Sequence, residues 1–204
     1  MNKYFSKNKL EVGIDEVGRG CLAGPVFTAA VIWPKDLDCK YECEIKDSKK
    51  LSKKKRKFLK DYIEENAISF SIGYKDNTII DKYNILNATH MAMHDAITNL
   101  NIIPELLLVD GNSFNPYYYK NELIEHICIV EGDNKYISIA CASILAKEYH
   151  DEYIKKLVED NSDLNKYDWN NNVCYGTKKH IDAIKQYGIT NYHRKTFGIC
   201  NNYS

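Results

Sequence analysis

Leu106-Leu107-Leu108-Val109 is a continuous apolar run of strand length that ends abruptly in Asp110-Gly111. A strand without polar alternation has to be covered on both faces, as happens when helices pack on either side of a sheet. Ile127-Cys128-Ile129-Val130 repeats the pattern and reaches Gly132-Asp133. Nearer the start, Val12 to Asp15 runs into Glu16, and Val26 to Trp33 is a second apolar, β-branched run stopped by Pro34. Residues 67–75 alternate, with Ile68, Phe70, Ile72 and Tyr74 opposite Ser69, Ser71 and Gly73, which predicts a third strand with one covered face. Ser52 is expected to cap a helix carrying Phe58, Leu59, Tyr62 and Ile63. A second helix is expected over 84–99 with Leu86, Met93 and Ile97 buried, and a long third over 137–160. Thr177 caps a last helix with Ile181, Ile184 and Tyr187, stopped by Gly188. Residues 1–10 read as a polar tail and 161–172 as an asparagine-rich loop. The order of elements predicts an α/β domain with a mixed sheet spanning residues 1–204, its helical C-terminal appendage covering about 161–204.

Composition excludes more than it selects. There are 28 basic and 28 acidic residues, so no global field attracts polyanions and any such binding has to be local. The seven cysteines are scattered, only Cys39 and Cys43 are close, and no C-x-x-C occurs. Neither a disulfide framework nor a zinc site is favoured, and free thiols in a reducing cytoplasm are expected. Residues 1–7 lack the apolar centre of a signal peptide, and no apolar run approaches membrane-spanning length.

The acids carry the chemistry. Asp15, Glu16, Asp110 and Asp133 all fall at predicted strand ends, where an open α/β sheet gathers its ligands. Buried carboxylates placed together repel and are costly to desolvate unless a cation joins them. Oxygen ligands without a His or Cys cluster favour a hard ion, Mg²⁺ or Mn²⁺. Gly18-Arg19-Gly20 adds a basic turn whose glycines let a ligand approach the backbone, which suggests a phosphodiester substrate. Gly13-x-x-x-x-Gly18 mimics a phosphate loop. However, arginine replaces its lysine, glycine its hydroxyl residue, and two acids would lie inside the anion cradle. A dinucleotide fingerprint fails on spacing. Lys53 to Lys57 read as a solvated helix face, with an auxiliary phosphate track as the other use, and His180 and His193 as structural groups rather than ligands.

Gly13-Ile14-Asp15-Glu16-Val17-Gly18-Arg19-Gly20, Asp47-Ser48-Lys49-Lys50-Leu51, Val109-Asp110-Gly111, Gly132-Asp133, Ala142 to Lys147, Tyr175-Gly176-Thr177 and His193-Arg194-Lys195-Thr196-Phe197 resemble, in order, the motifs of ribonuclease HII. The resemblance runs from about residue 11 to 198. It implies an RNase H-like mixed sheet, with three early antiparallel strands and then parallel ones, flanked by helices. It implies a Mn²⁺- or Mg²⁺-dependent endonuclease of DNA replication and repair. Such an enzyme cuts the RNA of RNA–DNA hybrids and cuts at ribonucleotides embedded in duplex DNA, leaving a 3′-hydroxyl and a 5′-phosphate.

By matching position, Asp15, Glu16, Asp110 and Asp133 would be catalytic metal ligands. Gly18, Arg19 and Gly20 would line the ribose 2′-hydroxyl with Tyr175 stacking nearby, and Lys49, Ser143 and Lys147 would lie near the nucleic-acid backbone. The Gly-Arg-Gly turn separates the chain from ribonuclease HIII. Two positions depart from the pattern: Cys21 where proline is usual, and Cys174 where glycine is usual. A monomer without membrane attachment is expected. A hybrid-binding module without turnover and an RNase H-like DNA nuclease stand as alternatives, although a pure binder gains nothing from four acids held against phosphate.

Overall fold

The computed structural model describes residues 1–203 apart from 38–40, 42–43, 46–47 and 49–50. Its strands are β1 (Glu11–Val17), β2 (Val26–Ile32), β3 (Ser69–Lys75), β4 (Leu106–Asp110), β5 (Tyr117–Tyr119) and β6 (Glu122–Ile129). They form one sheet in the order β3-β2-β1-β4-β6-β5. β1, β2 and β3 pair antiparallel, whereas β4 runs parallel to both β1 and β6. Ile14 stands opposite Val109, so the next residue of each strand, Asp15 and Asp110, comes side by side.

The helices are α1 (Lys53–Asn66), α2 (Asn77–Thr98), α3 (Ile137–Asp160), α4 (Trp169–Asn172) and α5 (Lys178–Tyr187). α1 and α3 cover one face of the sheet through Leu59, Ile63, Ala140 and Ile144 against Ala29 and Val31. α2 covers the other through Met93, Ala96 and Ile97 against Val12, Ile14, Leu107 and Val109. α3 crosses β1 so closely that a Cβ on Gly13 would lie 2.2 Å from the Ser138 carbonyl carbon. Only glycine fits at that crossing. Ser52 and Thr177 cap α1 and α5 as expected, accepting from the N–H groups of Lys55 and His180.

Several expectations change. α2 starts at Asn77, capped by Asp76, and is interrupted at Asn84, whose φ of 67° is not helical. Asn84 Oδ1 accepts from Asn87 N at 3.0 Å, so the expected start is a cap inside a longer element. Leu86 and Tyr187 are exposed rather than buried. On β3 the deeper face is the small one: Ser69, Ser71 and Gly73 lie under α2, while Tyr74 is exposed. The polar start is pinned rather than loose. Asn2 bridges to Tyr136, buried Glu11 accepts from the N–H groups of Phe5 and Ser6, and Lys35 Nζ donates to the carbonyls of Ser6, Lys7 and Lys9. The 161–172 stretch forms a 3-10 turn (Ser162–Tyr167) and α4, and these bury Leu164, Tyr167 and Trp169 against α3. The tyrosine-rich β5 hairpin was hidden because Tyr117 to Tyr119 lacks both alternation and a recognisable turn signal.

Candidate active site

β1 carries Asp15 and Glu16 beside Asp110 at the end of β4, and a 3-10 turn after β6 (Gly132–Asn134) carries the fourth acid, Asp133. Asp15 is 6% exposed and points to the α3 face. Its carboxyl is held well above the ordinary carboxylate range, first by burial and then by the charges of Glu16 and Asp110. The Glu16 N–H donates to Asp15 Oδ1 at 2.7 Å, and a hydrogen bond from Ser143 also favours the charged form. Ser143 is itself buried and shares a 3.0 Å bond with Ser48, so it reaches the acid and not the open surface.

Asp110 Oδ1 accepts from Gly132 N at 2.6 Å, tying β4 to the turn that carries buried Asp133. Asp133 Oδ1 accepts from Asn134 Nδ2 at 2.9 Å. Glu16 lies 3.4 Å from Arg19 Nη1. As the side chains stand, no three His, Cys, Asp or Glu groups among the described residues are already drawn together around a common metal position. The acids instead take backbone and arginine partners, as crowded anions do when no cation offsets them. The donor set is carboxylate oxygen alone, and the upward push on the Asp15 carboxyl from burial and its acid neighbours is what a divalent ion would reverse. These residues therefore fit Mg²⁺ or Mn²⁺.

Beside the acids sits the turn at 18–20. Gly18 has φ +89°, a left-handed conformation that glycine adopts without penalty. The Tyr175 ring edge would lie 3.7 Å from a Cβ on Gly20, and its hydroxyl lies by the Gly18 backbone and the Cys21 thiol. Burial pushes that phenol up to about 12, so it is a neutral donor at physiological pH. Lys147 Nζ is 5.9 Å from the Tyr175 ring centre and 2.8 Å from Asp151. Ser143 thus reaches Asp15, Arg19 reaches Glu16, and Gly18, Gly20 and Lys147 gather at Tyr175, while Lys49 and the neighbouring Asp47 lie outside the described residues.

Both unusual cysteines belong to this turn. Cys21 N–H donates to Gly18 O at 3.3 Å, a bond proline could not make, so a hydrogen bond closes the turn where a ring would otherwise stiffen it. Cys174 takes φ +68°, the region glycine would occupy freely, and its carbonyl accepts from Leu22 N at 2.8 Å. The glycine-like backbone is kept despite the side chain. Burial pushes Cys21 up to about 11 and Cys174 well above its ordinary value, which leaves both as neutral thiols at physiological pH.

Three groups escaped sequence reasoning. Arg194 is wholly buried, with Nη1 donating to Arg19 O and Nε to Gly24 O, each at 2.9 Å, so it braces the turn from beneath. Its motif is legible, but its target, 175 residues away, is not. His90 and His94 lie on the α2 side of the acids; their i, i+4 spacing was the available signal. His180 and His193 are structural, as expected: Trp169 Nε1 donates to His180 Nε2, which lies 3.1 Å from His193 Nε2.

The Ribonuclease HII family model matches residues 12–200. Ribonuclease HII of Parabacteroides distasonis is 50% identical, over 96% of this chain and 94% of its own. The ribonuclease H2 crystal structure from Pyrococcus horikoshii OT3 superposes with a TM-score of 0.74 at 22% identity, covering 95% of this chain and 96% of its own. A crystal structure of Bst-RNase HIII in complex with Mn²⁺ gives 0.61 at 19% identity, covering 87% of this chain and 62% of its own. With acids, turn and tyrosine assembled on a fold shared with these enzymes, the chain belongs to the ribonuclease HII family, metal-dependent endonucleases that degrade RNA in RNA–DNA hybrids.

Proposed function

We propose that Asp15, Glu16, Asp110 and Asp133 hold the divalent ions, Mn²⁺ or Mg²⁺, and that Gly18, Arg19, Gly20 and Tyr175 sense the ribose. On this reading a cytoplasmic monomer cuts the RNA strand of hybrids and also cuts duplex DNA at a lone ribonucleotide, leaving a 3′-hydroxyl and a 5′-phosphate. The observation that carries it is Asp15, buried beside Glu16 and Asp110, whose carboxyl is pushed towards the neutral form first by burial and then by those two charges. When bound, the ions supply charge that activates the attacking water and stabilises the leaving oxygen.

The chain's own groups do the rest. Ser143 and the Glu16 N–H orient Asp15, and Gly132 orients Asp110. Gly18 and Gly20 expose backbone at close range, and the Tyr175 ring closes the other side. The 2′-hydroxyl both donates and accepts, so polar backbone beside a flat ring can distinguish ribose from deoxyribose. Lys147, on the same helix as Ser143, is the cation assigned to the phosphate backbone. The test is one gel with a hybrid, a DNA duplex carrying one ribonucleotide, and an all-DNA duplex, each with Mn²⁺, Mg²⁺ or EDTA. The first two should be cut only with metal and the third not at all. Cleavage of all-DNA duplex would overturn the ribose assignment.

A further inference from the structure

On the α2 side of the acids, opposite the α3 wall that bears Ser143 and Lys147, the loop after Asp110 is gripped by two histidines. His90 Nε2 donates to Ser113 O at 3.1 Å, and His94 Nε2, one turn later, donates to Asn115 O at 2.9 Å. Phe114, buried between those two carbonyls, meets both rings edge-on at centroid distances of 6.1 and 5.3 Å. His126 of β6 closes on the same ring at 5.2 Å. Phe114 is thus the plug, and its flanking carbonyls are the handles.

The grip leaves two polar residues standing out. Asn112 and Ser113 are exposed, and with Glu16, Arg19, His90 and Asp110 they border a cavity of about 60 Å³. The His90 ring also bears a cost: it is 3% exposed, and its Nδ1 is buried without a partner. An apolar side chain would fill that place with no unpaired acceptor. What the imidazole adds is its Nε2–H on Ser113 O. The backbone it fixes forms the rim nearest to the acids.

We infer that His90 and His94 are positioning residues that hold Asn112 and Ser113 as a rigid lip, and that this lip contacts the sugar–phosphate backbone of the bound duplex. A duplex lying over the acids meets the sheet edge between its two helical layers. Lys147 flanks it on the α3 side, and the lip is the polar surface at hand on the α2 side. Neutral amide and hydroxyl donors make sequence-independent backbone contacts, as a nuclease indifferent to sequence requires. The inference rests on the assignment of the acids and the turn proposed above.

The test compares wild type with H90L/H94L, H90Q/H94Q and N112A at fixed metal and salt, reading kcat and KM on a hybrid, Mn²⁺ affinity by calorimetry, and amide exchange across residues 112–115. The Leu pair loses both loop bonds, so KM should rise about tenfold, with kcat and Mn²⁺ affinity near wild type and exchange accelerated in the loop. The Gln pair keeps donors of similar reach and should recover most of the KM. N112A should raise KM without loosening the loop. An unchanged KM in the Leu pair, with the loop loosened, would make the clamp a fold element only. Equal losses in kcat, melting temperature and Mn²⁺ affinity would also overturn the lip, placing the effect on the metal centre. If wild type itself fails to cut the hybrid, the proposed function falls, a result separable from either of these.

Discussion

Asp15 is where burial and charge collide. A carboxyl whose folded pKa is raised binds its proton more tightly folded than unfolded. Its stabilising effect is therefore complete below the unfolded value, near 3.8, and is lost as pH rises through the higher folded value. Without metal, the chain should melt at a lower temperature at neutral pH than this residue would permit in mild acid. Asp15→Asn should raise the metal-free melting temperature at pH 7, and the gain should shrink as pH falls. Thermal melts in EDTA across pH read both; an Asn variant that melts lower than wild type at pH 7 would contradict the account. Asp110→Asn removes one of the charges acting on Asp15. It should hold or raise metal-free stability while cleavage falls by a factor of a thousand or more, roughly 4 kcal/mol of barrier. A folded Asp110→Asn variant cutting at near wild-type rate would remove that acid from the site.

At the scale of elements, the close crossing of α3 over β1 puts Ser143 against Asp15. Gly13→Ala would set a methyl 2.2 Å from the helix backbone, so the helix would have to lift. Overpacking of this kind costs about 1–3 kcal/mol or more, and the lift would also detach Ser143 from the acid. Denaturant titration and Mn²⁺ affinity should fall together; a stable Gly13→Ala variant with full metal affinity would refute the coupling. The basic start of α1 is more divided than its sequence indicates. Arg56 is spent on Glu148 at 2.7 Å and Lys55 on Glu44, while Lys53, Lys54 and Lys57 are exposed. If the exposed lysines touch phosphate, Lys53→Gln/Lys54→Gln should flatten the dependence of log affinity on log salt by up to about 2, with saturated turnover little changed. An unchanged slope would return the run to solvent.

These elements also mark what was legible from the chain. Asp110 at the end of β4, the length of α3 and the caps at Ser52 and Thr177 are local patterns found where they were expected. Asp133, expected at a strand end, instead sits in the 3-10 turn after β6, and β1 runs on to Val17 past Asp15. The covered face of β3 was not legible. Periodicity shows that two faces differ, but α2 approaches closely enough to bury the smaller one. The asparagine interrupting α2 offered a true capping signal that hid the helical turns before it.

Across the whole molecule, the proposed metal site and the proposed ribose turn are built from different parts of the chain. The acids belong to the sheet and the turn after β6, whereas the turn at 18–20 is held by C-terminal residues 174–194. Leu22 pairs with Cys174, Cys21 stands opposite Tyr175, and Ala23 stands opposite His193. Arg194 completes the brace with its two bonds to turn carbonyls. Its guanidinium is fully buried, has no carboxylate in salt-bridge range among the described residues, and leaves Nη2 unpartnered. A lone buried charge is expensive, so its two carbonyl bonds must matter to what they hold. Arg194→Met fills the space without the donors and strands the carbonyls of Arg19 and Gly24. Stability should fall by about 2–4 kcal/mol, because two carbonyls, one buried and one part-buried, lose a charged partner. The functional loss should be selective: kcat/KM at a lone ribonucleotide should drop about tenfold to a hundredfold, with Mn²⁺ affinity unchanged. Arg194→Lys keeps the charge with a single donor group and should fall between. Tyr175→Ala should show the same selectivity, since a lost stacking contact is worth about 1–3 kcal/mol and a lone ribonucleotide has no neighbouring ribose to share the positioning. If brace and ring act through one turn, the Arg194→Met/Tyr175→Ala double variant should lose less than the product of the single losses. Fully multiplicative losses would separate the two residues. A parallel fall in Mn²⁺ affinity would show that the appendage supports the sheet edge as a whole rather than the turn.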